Sequence, residues 1–472
     1  MVRTDERVVL HYRPVRRLFG RSRLRLVDRE PEPDPPEPRV SRVPWSLLLL
    51  VAVAVLLGVL VGLAPAPVGL GLVGVVAVVA MLARLEWAAL AVVATAVFED
   101  YLALVSPAAI KALGILLVLA WVIRRCQGRI HDGRRSAVLT AALVFTATLL
   151  ISTSVHNNGL PGLEVLARYG GFLAVLVVLA DVVRAGLSAD RVARVYVASC
   201  AVAAACGLVS YAVGVDRRVG GPIGDPNDFA FFLLPAIALG LGVRRTARRR
   251  WPWDLATVMV LVAVLGTFSR GAILGLVAMV VLAVGARMIR IRTAFGLAVL
   301  VAAGVLAVVA TLPGLVATSI EQKGVVADQN VSERFELWSA ATKMTLESPV
   351  VGLGPGAFAL DHDDYTSGLP ADVNHPLDVA HNTWLELSSE LGVLGLLAFA
   401  ALLVTAFGTA WSAWRRRHDP VAAATAVALV GTAVAATFVT EQYYLPLWLL
   451  CALAVGVGAR AEVDVEAEER PR

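Results

Sequence analysis

The sequence predicts an all-α polytopic membrane protein, with about 12–14 transmembrane helices and one large, partly helical extracytoplasmic loop. Three observations predict it. Hydrophobic residues fill 58% of the 472 positions against 17% charged, and the mean hydropathy of +0.74 lies far above that of soluble domains. Uncharged runs of about 17 to 22 residues recur along the chain, each long enough to cross a hydrocarbon core of about 30 Å as a helix. Short Arg clusters punctuate those runs in the arrangement that the positive-inside rule requires, so the net charge of +5 reads as topology and gives no reason to expect a nucleic-acid partner.

Residues 1–44 carry eight Arg by position 25 and the run Glu30-Pro-Glu-Pro-Asp-Pro-Pro-Glu-Pro38. This composition reads as a disordered, basic and Pro-rich cytoplasmic tail. It does not resemble a signal peptide, because no clear small-residue cleavage site follows the apolar run from Trp45 to Leu63. Candidate spans then fall at 45–64, 67–83, 87–104, 108–124, 136–153, 168–184, 191–213, 227–243, 254–268, 271–287 and 293–311 in an N-terminal bundle (45–311). A loop at 312–384 separates these from spans at 387–410, 421–438 and 442–459 (385–459), and 460–472 forms a second cytoplasmic tail. The first two spans are short and adjacent, and can also be read as a re-entrant pair.

One stretch requires its own argument. As a single helix, 254–287 would be about 50 Å long, too long for one span, and both flanks are strongly basic. A hairpin turning at Thr267-Phe-Ser-Arg270-Gly271 satisfies both facts and puts Arg270 at the outer surface. With that hairpin, Arg84, Arg124, Arg125, Arg184, Arg191, Arg194, the 244–250 cluster and Arg415 to Arg417 share one side, predicted cytoplasmic together with both termini. The 312–384 loop lies opposite and is acidic, with ten Asp or Glu against three Lys or Arg. The four cysteines lie in or beside apolar runs without ligand spacing, so neither a disulfide nor a thiol or metal centre is indicated.

Four groups on the predicted outer side carry chemistry. The turn Arg217-Arg218-Val-Gly-Gly-Pro-Ile-Gly-Asp225-Pro-Asn227 enters a helix, and its two guanidinium groups and helix-start amides suit an anion; an ordinary external turn explains the same residues. Arg270 breaks the positive-inside pattern and faces the acidic loop, although an Arg at that depth can also be a snorkelling anchor. Asn330 and Glu333 have capping-box spacing, which predicts a helix over 331–346 with Arg334 and Trp338 on one face. There Arg334 could bind phosphate or pair with a loop carboxylate. His381 sits where the loop re-enters the membrane, beside Asn382, at the start of a helix whose positive end keeps the imidazole neutral. A neutral His suits a general base, and a capping or interfacial His is the alternative.

Two clusters are weaker. Asp361-His362-Asp363-Asp364 has hard-ligand chemistry without a calcium-loop pattern and reads as a solvated turn, so no metal is expected. Gly352-Leu-Gly-Pro-Gly356 could cradle a phosphate or form a tight turn.

Taken in order, these pieces resemble the O-antigen ligase and polymerase family of bacterial envelope glycosyltransferases over about residues 85–459. The matching pieces are the Asp225-Pro-Asn turn, Phe268-Ser-Arg270-Gly, Glu333-Arg334-Phe-Glu-Leu-Trp338, Gly352-Leu-Gly-Pro-Gly-Ala-Phe358, His381-Asn-Thr-Trp-Leu-Glu386 and Glu390-Leu-Gly-Val-Leu-Gly395. The resemblance implies an inverting, cofactor-free and metal-independent transfer of a glycan from an undecaprenyl-diphosphate-linked donor to an acceptor hydroxyl at the outer face of the cytoplasmic membrane. The acceptor would be a glycan, lipid or wall polymer. It implies that Arg270 and Arg334 bind the diphosphate and that His381 activates the acceptor. Arg217 or Arg218, Asp225, Asn227, Trp338 and Asn382 would add donor contacts. Ligases and repeat-unit polymerases share these motifs. A lipid-linked oligosaccharide transporter is the rival reading, but transporters place ionisable residues near the bilayer midplane, whereas here the polar residues gather on one outer face.

Overall fold

The computed structural model describes residues 66–128, 136–293, 334–366 and 379–469, together with 295, 296, 299 and 303. The tail 1–44, the candidate span 45–64, most of 293–311, the Asn330–Glu333 capping box and the loop stretches 312–333 and 367–378 lie outside them. Two compact units divide the chain, Met1–Leu72 and Val73–Arg472. The architecture below is that of the second.

The described secondary structure is helical throughout: α1 (Ala66–Ala83), α2 (Leu85–Thr95), a 3-10 turn (Ala96–Phe98), α3 (Glu99–Val105), α4 (Ala109–Cys126), α5 (Ala137–Val155), α6 (Gly159–Arg184), α7 (Ala189–Ala212), α8 (Pro226–Thr246), α9 (Trp251–Gly266), α10 (Arg270–Gly285), α11 (334–347), α12 (Ala357–Tyr365), α13 (Thr383–Arg417), α14 (Pro420–Ala435) and α15 (Leu445–Glu469). Every candidate span within the described residues coincides with a helix. Among the described residues, six helices are long and apolar enough to cross a membrane, with α2 and α3 read as one, and shorter apolar helices accompany them. The protein is an all-α polytopic membrane protein.

Helix starts follow side-chain chemistry. Ser188, Asp225, Ser269, Asn382 and Asp419 each accept a hydrogen bond from an amide of the first turn, and Pro226 and Pro420 begin their helices. The predicted hairpin at 254–287 is present. α9 and α10 are 16 residues each, about 24 Å long, and turn through Thr267-Phe268-Ser269. Phe268 sits at φ +53 in that turn.

α8 lies at the centre, packed on α14, α9 and α7, while α13 packs on α5, α15 and α14. Its residues 229–240 are all buried, including Pro235. Small residues let these helices approach closely. A Cβ on Gly275 of α10 would lie 2.5 Å from the Gly431 carbonyl oxygen of α14.

The helix ends form two distinct faces. At one, Arg125 pairs with Asp181 at 3.0 Å, Arg194 with Asp190 at 2.6 Å and with Thr246 at 3.0 Å, Arg191 with Glu86 at 3.6 Å, and Arg417 reaches the Arg460 carbonyl at 3.1 Å. These contacts tie α4 to α6, α7 to α2 and α8, and α13 to α15. At the other, the Val219 amide donates to Gly266 O at 3.1 Å, and Thr383 N to Ala436 O at 3.0 Å.

α13 is broken at Gly392, whose φ of 64° and ψ of −169° interrupt the helix. The freed backbone groups pair with the segment after α11. Leu353 N and Gly354 N donate to Ser389 O and Glu390 O, each at 2.9 Å, while Val393 N and Leu394 N donate to Pro349 O and Val350 O at 2.8 and 3.2 Å. Ser152 Oγ of α5 adds a further bond to Glu390 O at 2.9 Å. A broken membrane helix is tolerated where neighbouring protein satisfies its backbone in this way.

Candidate active site

The 217–227 turn is built on glycine. Gly221 lies at φ +57 against the Phe229 ring, where a Cβ would come within 2.4 Å of ring carbon. This fold-back directs Arg218 toward the α9–α10 turn: its Nε donates to Thr267 O at 2.8 Å and its Nη2 to Asn227 Oδ1 at 3.3 Å. Arg218 is half-buried and Arg217 exposed, which separates two residues that the sequence left equivalent. Asp225 caps α8, its Oδ1 accepting from the amides of Asn227 at 2.6 Å and Asp228 at 3.1 Å.

Arg270 opens α10 and is exposed. Arg334 opens the described part of α11, is half-buried, and donates through Nη1 to Phe438 O at 3.2 Å. Its Nε is buried without an acceptor among the described residues, as is the indole Nε1 of Trp338 one turn on. Burial lowers the Arg334 pKa; Asp225 and Asp228 oppose that shift and Arg270 adds to it. Arg218 is likewise lowered by burial, with Asp225 opposing and Arg334 adding.

His381 adopts φ +49, a conformation uncommon for a non-glycine residue. It is fixed from both sides. Ala380 N donates to Glu386 Oε2 at 2.9 Å, and Asn382 Oδ1 caps α13 by accepting from Trp384 N at 3.0 Å and Leu385 N at 3.1 Å. Thr383 continues the attachment by donating from Oγ1 to Val439 O at 2.8 Å. Burial lowers the His381 pKa to about 4, with Arg334 adding to the shift and Asp225 opposing it. The imidazole is thus neutral at ordinary pH, as the sequence suggested, but burial and Arg334 dominate where the helix terminus was expected to act.

Arg334 and Asp225 therefore lie within electrostatic reach of each other and of both Arg218 and His381, and Arg270 within reach of Arg334. Asp225 caps α8, Arg270 opens α10 and His381 stands just before α13. Capping side chains already occupy amides of each first turn, so the helices contribute mainly field. Such a cluster of cations, a neutral imidazole and a carboxylate can hold an anion and accept a proton beside it.

Sequence reasoning missed two carboxylates here. Asp228 follows the cap of α8, and Glu441 is fully buried beside it. Burial raises the Glu441 pKa, and Asp228 raises it further. The available signal was a lone acid between two apolar runs.

Other sequence candidates lie apart from the cluster. The Gly352–Gly356 turn has no spare cradle of amides, because Leu353 N, Gly354 N and Gly356 N donate to Ser389 O, Glu390 O and Glu390 Oε1. Of its two readings, the tight turn is the one that forms. In the Asp361–Asp364 stretch, now helical, His362 is buried with Nδ1 3.0 Å from Phe358 O, while Asp363 and Asp364 are exposed.

Comparison with known proteins adds one match. Residues 255–400 fit the family model described as O-antigen ligase. That span runs from α9 into α13, including Arg270, Arg334 and His381 and excluding Arg218, Asp225 and Glu441. No curated protein matches the chain. The chain is thus similar to the O-antigen ligase family over residues 255–400.

Proposed function

We propose that the protein transfers a glycan from an undecaprenyl-diphosphate-linked donor to an acceptor hydroxyl, at the outer face of the cytoplasmic membrane. The observation that carries this reading is the convergence of Arg218, Arg270, Arg334 and His381 at the helix ends opposite the basic clusters. With the basic face cytoplasmic, the cluster faces outward.

In the proposed step a ring nitrogen of His381 takes the proton of the acceptor hydroxyl as that oxygen attacks the anomeric carbon. The bond from carbon to diphosphate breaks, its electron pair stays with the diphosphate, and the configuration inverts. Arg334, with Arg218 and Arg270, meets the charge that develops on the leaving group. Asp225, close to His381, favours the imidazolium that forms.

The test is His381→Ala in cells and in a purified assay. Full insertion with accumulation of the lipid-linked glycan and loss of transfer is expected; normal transfer by the purified variant rejects the assignment. The mass of the accumulating lipid distinguishes the two activities that share this chemistry. A full-length chain marks ligation and a single repeat unit marks polymerisation.

A further inference from the structure

Two carboxylates stand one turn apart on the first segment of α13, before the break at Gly392, and the transfer step above uses neither. Both are buried, Glu386 and Glu390 each at 2% exposure, in a helix otherwise rich in apolar residues. Buried acids are retained where each oxygen has a partner, and these partners come from distant sequence.

Glu386 accepts three hydrogen bonds. Ala380 N and Thr440 Oγ1 donate to its Oε2, each at 2.9 Å, and Gln442 Nε2 donates to its Oε1 at 2.8 Å. Ala380 immediately precedes His381, and Thr440 and Gln442 flank Glu441. The same 436–442 segment carries Phe438, whose carbonyl oxygen accepts from Arg334. It is also bound by Thr383, through Thr383 N to Ala436 O and Thr383 Oγ1 to Val439 O, while Glu441 N donates back to Thr383 Oγ1 at 2.9 Å.

From this geometry we infer that Glu386 is a positioning residue, which holds His381 in its left-handed conformation and fixes its separation from the segment that receives Arg334. A left-handed backbone at a non-glycine residue persists only where the surroundings over-determine it. At His381 the residue before is held by Glu386 and the residue after by its own cap. Removing the acceptor at 386 leaves Ala380 N–H, Thr440 and Gln442 without their partner and releases the N-terminal side of His381.

The inference deepens the proposed function, since it concerns the residue assigned there as the base, but its test reads structure without turnover. Carbethoxylation of His381 by diethyl pyrocarbonate, followed by mass spectrometry of its peptide in the purified full-length protein, reports access to the ring. His362, buried on Phe358, is the internal control. Glu386→Met removes the acceptor at similar volume and should raise the His381 rate several-fold while leaving His362 unchanged. Glu386→Gln should stay near the wild-type rate. Its Oε1 can still accept from Ala380 and Thr440, and Gln442, whose Oε1 is buried without a partner, can turn its amide to accept from the new NH2. If Glu386→Met does not fold, as a parallel rise at His362 would show, Glu386→Asp withdraws the carboxylate by one methylene and gives the graded version.

In the transfer assay the folded variant should lose kcat at least tenfold, with less than a threefold change in donor KM. An unchanged His381 rate in whichever acceptor-removing variant folds overturns the inference. So does equal exposure in Glu386→Gln and Glu386→Met. A wild-type protein that transfers nothing from the undecaprenyl-diphosphate donor would reject the proposed function and leave the reactivity result standing.

Discussion

His381 supplies a prediction in which binding and chemistry have different pH dependences. Its pKa falls from 6.5 to about 4, which corresponds to roughly 3 kcal/mol favouring the neutral ring. Burial is the largest cause and the Arg334 cation the second. In the free protein the base is therefore available down to about pH 4, so kcat/KM should keep its acid limb near 4. A bound diphosphate offsets the Arg334 charge and makes the imidazolium easier to form, so the limb of kcat should lie higher, between about 4 and 6.5. The sign for stability follows from the same shift. The unfolded His binds a proton below 6.5 and the folded one only below about 4, so this residue's contribution is complete above pH 6.5 and is lost as pH falls through that window. The assay is a pair of pH–rate profiles with a defined lipid-linked donor. A kcat/KM limb near 6.5, or a kcat limb at or below that of kcat/KM, refutes the reasoning.

The remaining predictions concern residues around that base. Arg218→Ala should raise donor KM at least tenfold, whereas Arg217→Ala should change it less than threefold, because Arg218 is half-buried and faces Arg334 while Arg217 is exposed; titration with the lipid-linked donor compares them. Arg334→Lys should lower kcat by about 10- to 100-fold, since a point charge cannot keep the bond to Phe438 O and also grip a diphosphate in two places. Gly392→Ala should destabilise the protein by about 3 kcal/mol or more. Its φ and ψ are those of glycine, and the added Cβ would meet the Val350 carbonyl at 2.4 Å. Thermal unfolding in detergent that matches the wild type would contradict this.

Much of the architecture could be read from the sequence because a membrane imposes strong rules. Apolar runs of span length became helices, and the length of 254–287 together with its basic flanks predicted the break between α9 and α10. The helix start beside His381 was legible, but with the membrane span drawn from 387 the setting of Glu386 and Glu390 was not. In the structure they are interior residues of a helix beginning at Thr383, satisfied by Ala380, Thr440, Gln442, Gly356 and Tyr443. No local pattern announces partners that are up to about fifty residues away in sequence. The choice of Arg218 over Arg217 failed for the same reason, because it depends on Thr267 from another turn.

The backbone exchange at Gly392 has a practical consequence for anyone recombining this protein with its relatives. A graft with joints at 312 and 384 would carry one strand of that exchange, 349–354, and leave behind the other, 389–394. The carbonyl groups of Ser389 and Glu390 and the amides of Val393 and Leu394 would then face a foreign segment inside the membrane bundle, with the register of four hydrogen bonds left to chance. The unit that can be transplanted ends after the helix break, near residue 395, and a chimera cut there takes His381 together with the groups that hold it.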